Sequence, residues 1–239
     1  MYGTCIAAAV AALAGVCSAQ TIVSISASAP NGTFPVSSTD LANAGQPTFS
    51  SISLTSGLAL YGSAVGNLVD GSMYGGSGYT DTAYAFVPSN GSVVTITFDT
   101  SLNAAGYDLS TIKVFAGSGA FQSRANQNYS VAWAAPGSGT YTNLFSVEAH
   151  DYGNSIETYT STAMSDASIL VTGVGSLRFT FADTLTGGPE SMYREIDVMG
   201  SATSAVPEPS TYATVMGVAA LGLAAWRRRS TADRPRSVN

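Results

Sequence analysis

From Val93 to Asp99 apolar and polar residues alternate, placing Val94, Ile96 and Phe98 on one face and Thr95 and Thr97 on the other. A period of two predicts a half-buried β-strand. Leu177-Arg178-Phe179-Thr180-Phe181 repeats the pattern with Leu177, Phe179 and Phe181 inward. Arg194-Glu195-Ile196-Asp197-Val198 does so again, which leaves Glu195 and Asp197 on the wet face. Shorter strands are predicted over 112–115, 129–133, 144–149 and 169–171. Gly and Pro clusters punctuate them: Pro88-Ser89-Asn90-Gly91, Pro136-Gly137-Ser138-Gly139 and Gly187-Gly188-Pro189. The strongest hairpin signal is Asn90-Gly91, between apolar runs at 83–87 and 93–98.

No stretch of this region carries a sustained helical period with caps. Short strands at intervals of roughly 8–12 residues predict an all-β fold, an antiparallel β-sandwich or jelly roll. Pro30, Pro35 and Pro47 mark residues 20–60 as an extended arm, whose strands at 22–26 and 48–54 join the sheet edges. Residues 20–200 form the sandwich domain and 201–205 a linker.

Charge narrows the partners. Between residues 20 and 205 thirteen acidic residues face only Lys113, Arg124, Arg178 and Arg194, a balance of −9 against −6 for the whole chain. Such a surface repels phosphate backbones and excludes nucleic acid, whereas it suits a cation or a neutral sugar.

The two ends differ from the middle. Residues 6–16 form an Ala-rich apolar run followed by Cys17-Ser18-Ala19-Gln20, the pattern of a signal peptide (1–19) cleaved after Ala19. Lipidation at Cys17 is the alternative, disfavoured by the bulk of Val16. Cys5 and Cys17 both lie in this segment, so the mature chain has no thiol for a disulfide, a zinc site or a nucleophile.

At the other end, Val206-Pro207-Glu208-Pro209 is held extended by its prolines. An uncharged run to Trp226 and then Arg227-Arg228-Arg229 follow. Basic residues beyond a short apolar helix keep to the cytoplasmic side of a membrane. The alternative for a run this short is a buried core helix. Residues 206–229 resemble the PEP-CTERM sorting signal of exopolysaccharide-producing Gram-negative bacteria. The resemblance implies an exported protein, a single C-terminal transmembrane sorting helix in the inner membrane, and processing by an exosortase-type membrane protease. A polar tail, 230–239, follows the arginines.

Two patches of the middle carry a second resemblance. Asn67-Leu68-Val69-Asp70-Gly71 with its Ser/Tyr/Gly loop to Thr80, and Tyr193-Arg194-Glu195-Ile196-Asp197-Val198-Met199-Gly200, resemble the opening and the closing strand of discoidin-type galactose-binding modules. That family implies a structural calcium ion, with Asp70 and Glu195 as carboxylate ligands and Thr80 and loop carbonyls as further ones. Calcium takes six to eight hard oxygens from a flexible loop, which Gly71, Gly75 and Gly76 permit. The plainer alternatives are an Asp70 side chain bonding its own backbone two residues on, and a solvated Glu195.

A sugar site needs aromatic platforms and a few fixed polar groups on loops. Tyr74, Tyr79, Tyr141, Tyr152 and Tyr159 fall in or near loops, with Arg124, Asn126 and His150 as hydrogen-bonding candidates. Most such tyrosines are also explained as edge residues with the ring inward and the hydroxyl outward. No nucleophile elbow, zinc-protease helix or phosphate loop occurs, and His150 is the only histidine. The expected function is a non-catalytic surface or matrix protein that binds extracellular polysaccharide. A matrix protein without a ligand, and a polysaccharide hydrolase pairing Asp81 with Glu195, are the alternatives.

Overall fold

A computed structural model describes residues 22–28, 34–59, 64–73, 85–117, 124–149, 159–166, 169–182, 191–204, 214, 216–223 and 226. The chain divides into two compact units, Met1–Thr203 and Ser204–Asn239. Among the described residues the first unit contains ten strands: β1 Ile22–Ser28, β2 Phe49–Ser56, β3 Val93–Phe98, β4 Tyr107–Gly117, β5 Gln127–Ala134, β6 Thr142–Ala149, β7 Tyr159–Ser165, β8 Val171–Val174, β9 Ser176–Phe181 and β10 Tyr193–Ala202. They form two antiparallel sheets. One runs β1-β7-β4-β10 with β8 also on β4, and the other β2-β3-β9-β5-β6.

The predicted alternation produces the core. Val94, Ile96, Leu177, Phe179, Phe181, Ile196 and Val198 are all buried in one cluster between the sheets. Rings lock the two layers: Phe181 of β9 lies 4.6 Å from Tyr193 of β10, and Phe98 of β3 lies 5.6 Å from Tyr107 of β4. As expected, β1 and β2 are edge strands. β10 continues through Ser201 and Ala202, two residues into the predicted linker.

Two β-bulges set which side chains face inward. The β4–β10 register slips between Tyr193 and Glu195 on one strand, and between Leu109 and Ser110's neighbour Thr111 on the other. Each extra residue lets flanking apolar positions of opposite parity, Tyr193 with Ile196 and Leu109 with Ile112, reach the same core.

Two expectations fail. Asn90-Gly91 does form a turn, with Gly91 at φ 78°, but no hairpin. Phe86 bridges Tyr193 of β10, Ala59 bridges Pro88, and β3 pairs with β2 and β9 instead. The turn is tied down by Leu58, whose carbonyl accepts the Ser89 amide at 2.8 Å and the Ser92 hydroxyl at 3.0 Å. Burial of Phe86 against Phe181 takes the preceding residues to the other sheet. The second failure is the wet face of β10, where Glu195 and Asp197 are fully buried.

The cause of that burial is the arm. β10 ends its sheet, so its outer edge has unpaired backbone groups that must be covered. Leu41 donates its amide to the Val198 carbonyl at 2.9 Å, and Val198 donates to Asp40 Oδ1 at 3.0 Å. Ser37 donates to Asp197 Oδ2 at 3.0 Å, and Phe34 packs on Phe115, ring centroids 5.9 Å apart.

In the second unit residues 216–223 are helical, and Met216, Val218, Leu221 and Leu223 are exposed rather than in a core. Among the described residues no helix is long and apolar enough to cross a membrane. The expected signal peptide (1–19), Val206, Pro207, Glu208, Pro209, Arg227, Arg228, Arg229 and the tail 230–239 lie outside the described residues.

Candidate functional site

A short 3-10 helix, Val65–Val69, brings Asp70 and Gly71 to β10. Leu68 and Val69 are buried and anchor it, and the Val69 carbonyl accepts the Ala44 amide at 2.8 Å. Asp70 Oδ1 then accepts the Ser72 amide at 2.9 Å, a local Asx-turn. Gly71 takes φ 77°, a conformation that glycine adopts without strain. A Cβ there would lie 2.5 Å from Asn43 Nδ2. This turn points two amides at one oxygen. Gly71 and Ser72 donate to Glu195 Oε2 at 3.2 and 3.3 Å.

The two sequence patches, 67–71 and 193–200, therefore meet as their resemblance implies. Asp70 remains largely exposed, whereas Glu195 is fully buried. Burial above all, then the charges of Asp70 and Asp197, pushes the Glu195 carboxyl up to about 10. A carboxyl raised so far holds its proton at neutral pH when no cation is bound. Burial raises Asp70 as well, against the lowering effects of the Ser72 amide and of the neighbouring Glu195 side chain.

A second carboxyl pair adjoins the first, and no local pattern along the chain points to it. Asp40 and Asp197 are both buried. Burial, opposed by the Ser37 amide and reinforced by Asp40, moves Asp197 up to about 7, with Lys113 acting the other way. Burial likewise raises Asp40, partly offset by the amides of Val198 and Ala42. One oxygen on each of Asp40, Glu195 and Asp197 is buried without a hydrogen-bond partner among the described residues.

Unpartnered buried carboxyl oxygens cost free energy, and a hard cation would relieve it. Asp70 and Glu195 fit a calcium ion in donor chemistry and in meeting at one turn. Among the described residues, however, no three Asp, Glu, His or Cys side chains are grouped to hold a metal. Thr80, the third expected ligand, lies outside the described residues, as do Tyr74, Tyr79, His150, Tyr152 and Asp81. Asn126 is buried, and the Arg124 carbonyl accepts the Met192 amide at 3.0 Å. Of the sugar contacts predicted at Tyr74, Tyr79, Arg124, His150 and Tyr152 only Arg124 lies among the described residues, and Glu195, which the hydrolase alternative requires, is shut off from solvent.

Residues 205–229 match the family model of the PEP-CTERM protein-sorting motif. The chain carries a PEP-CTERM sorting signal. Such a signal implies export, a surface or extracellular location and exosortase processing. No curated protein matches the chain. Among solved structures, the GH31 CBM32-2 module bound to GalNAc is 12% identical, with 63% of this chain and 97% of that chain covered and a TM-score of 0.40. The CBM32 of AlyQ in complex with 4,5-unsaturated mannuronic acid is 12% identical over 63% of this chain and 95% of that one, TM-score 0.38. A pectin-binding carbohydrate-binding module is 14% identical over 67% and 94%, TM-score 0.39.

Proposed function

We propose that this PEP-CTERM protein is a non-catalytic carbohydrate-binding protein of a Gram-negative cell surface or biofilm matrix, with the cell's own exopolysaccharide as its ligand. Its signal peptide is removed after Ala19, and the apolar run before Arg227 holds it in the inner membrane until an exosortase-type protease acts near Pro207 and Pro209. A calcium ion braces the sandwich at Asp70 and Glu195, with Thr80 and loop carbonyls completing the shell. When bound, the ion supplies positive charge to carboxyls that otherwise retain protons.

The observation that carries this reading is the contact of Gly71 with Glu195, which joins the two halves of the galactose-binding resemblance in space. The acidic surface supports it by favouring neutral sugars over polyanions. The test uses the processed protein recovered from its own host. Co-sedimentation with the extracellular polysaccharide, and retention on a glycan array, are expected. A protein enriched in matrix but inert to every glycan would leave the ligand-free matrix role instead. Turnover of polysaccharide, abolished by one Asp or Glu substitution, would establish the hydrolase.

A further inference from the structure

A cleft of about 400 Å³ opens where β3 and β9 pair Thr97 with Ser176. Glu195 lies at the other end of the sandwich, beside the contact of Phe181 with Tyr193, so this cleft is separate from the carboxyl site. We infer that it is a binding site for a neutral saccharide, with Tyr141 as its platform. The inference rests on the carbohydrate-binding reading above and gives it a place.

The lining has the chemistry of a sugar site. Thr97, Thr100, Ser138 and Ser176 contribute hydroxyls, Tyr141 an aromatic ring and Pro136 an apolar surface, and among the described residues no charged side chain lines it. Hydroxyls that both donate and accept match the hydroxyls of a sugar, while the ring and proline cover its C–H faces. The volume is within the range of small-molecule sites.

The platform is fixed before any ligand arrives. The Arg178 guanidinium carbon lies 3.5 Å from the centroid of the Tyr141 ring. The Tyr141 hydroxyl is 3.0 Å from Ser176 Oγ, so tilting the ring breaks both contacts. Arg178 Nε is buried with no hydrogen-bond partner among the described residues. The guanidinium stacked on the ring holds it by a cation–π contact. Because no charged side chain lines the cleft among the described residues, the ligand class is neutral sugar rather than uronic acid.

The walls are equally constrained. Gly175 donates to the Ala134 carbonyl at 2.8 Å and accepts the Phe98 amide at 3.0 Å. A Cβ on Gly175 would lie 2.7 Å from the backbone of Pro136, so the corner before β9 and the turn after β5 are in direct contact. A rigid, preformed site avoids the ordering cost that weakens binding.

Affinity electrophoresis of the host-processed protein in gels containing galactomannan, xyloglucan, starch or polygalacturonate tests this. Retardation by at least one neutral polysaccharide is expected, with Tyr141→Ala weakening it tenfold or more. Gly139→Trp, which builds into open space at the mouth of the cleft, is expected to abolish it without loss of fold, read from an unchanged melting temperature. Retardation that survives both substitutions, or that is lost in Tyr74→Ala alone, overturns this location and leaves the carbohydrate-binding reading standing. Retardation by polygalacturonate only overturns the neutral class. A wild-type protein retarded by none of the gels overturns both.

Discussion

The Gly71 amide donates to Glu195 Oε2 at 3.2 Å, across 124 residues of sequence. This bond fastens the Asp-Gly turn to the last strand and sets the Asp70 carboxyl near enough for its charge to act on Glu195. Two carboxyls at one turn leave the molecule a choice between a proton and a cation.

Calcium should therefore stabilise the protein. Melting in millimolar calcium is expected to exceed melting in chelator by about 2–3 kcal/mol of stability at a hundredfold excess over Kd. Asp70→Ala should remove most of the difference. Calorimetric traces that superimpose with and without chelator would rule the ion out.

Without divalent cation, stability should fall as pH rises. Glu195 and Asp197 hold their protons more tightly folded than unfolded, so their favourable contribution is complete below the ordinary values of 4.5 and 3.8. As pH rises past those values both contributions are lost together, that of Asp197 until about 7 and that of Glu195 until about 10. The slope is at most ~1.4 kcal/mol per pH unit for each group. Glu195→Gln should abolish the fall above about pH 7 and roughly halve the slope below it. Thermal melts in chelator at about pH 5, pH 7 and pH 9 check the direction, and a melting temperature that climbs across them contradicts it.

Gly71→Ala should loosen the turn. The new methyl would both meet Asn43 Nδ2 at 2.5 Å and hold φ at 77°, where side chains are strained. A loss of about 1–3 kcal/mol is expected. Calcium stabilisation should shrink in the same variant, which an ordinary surface substitution would not cause.

Thr162→Val tests the polar seam between the sheets. Thr162 Oγ1 lies 2.5 Å from the Tyr129 hydroxyl and donates to Gln127 Oε1 at 3.0 Å, all three side chains being buried. Valine keeps the shape and orphans both partners, at about 2 kcal/mol. Urea titration should show a lower midpoint with an unchanged slope. Stability equal to wild type would mean that the seam contributes nothing.

Strand β7 shows why part of the fold was not legible. Tyr159–Ser165 lacks an apolar stripe, because its inward positions are Thr160, Thr162 and Met164. The hydroxyls of Thr160 and Thr162 are buried only because Gln127 and Tyr129 meet them across the sandwich. No local pattern announces a partner more than 30 residues away.

The sequence by itself determined the strands of strong alternation, the edge positions of β1 and β2, the acidic charge and the sorting signal. These are properties of short segments, in which side-chain period or motif is enough. Tertiary structure alone decided that Asp40, Glu195 and Asp197 are buried, that residues 85–88 leave their hairpin for β10, and that Tyr141 is braced by Arg178. Each depends on what chain arrives from far away to cover a strand edge, fill a core or stack on a ring.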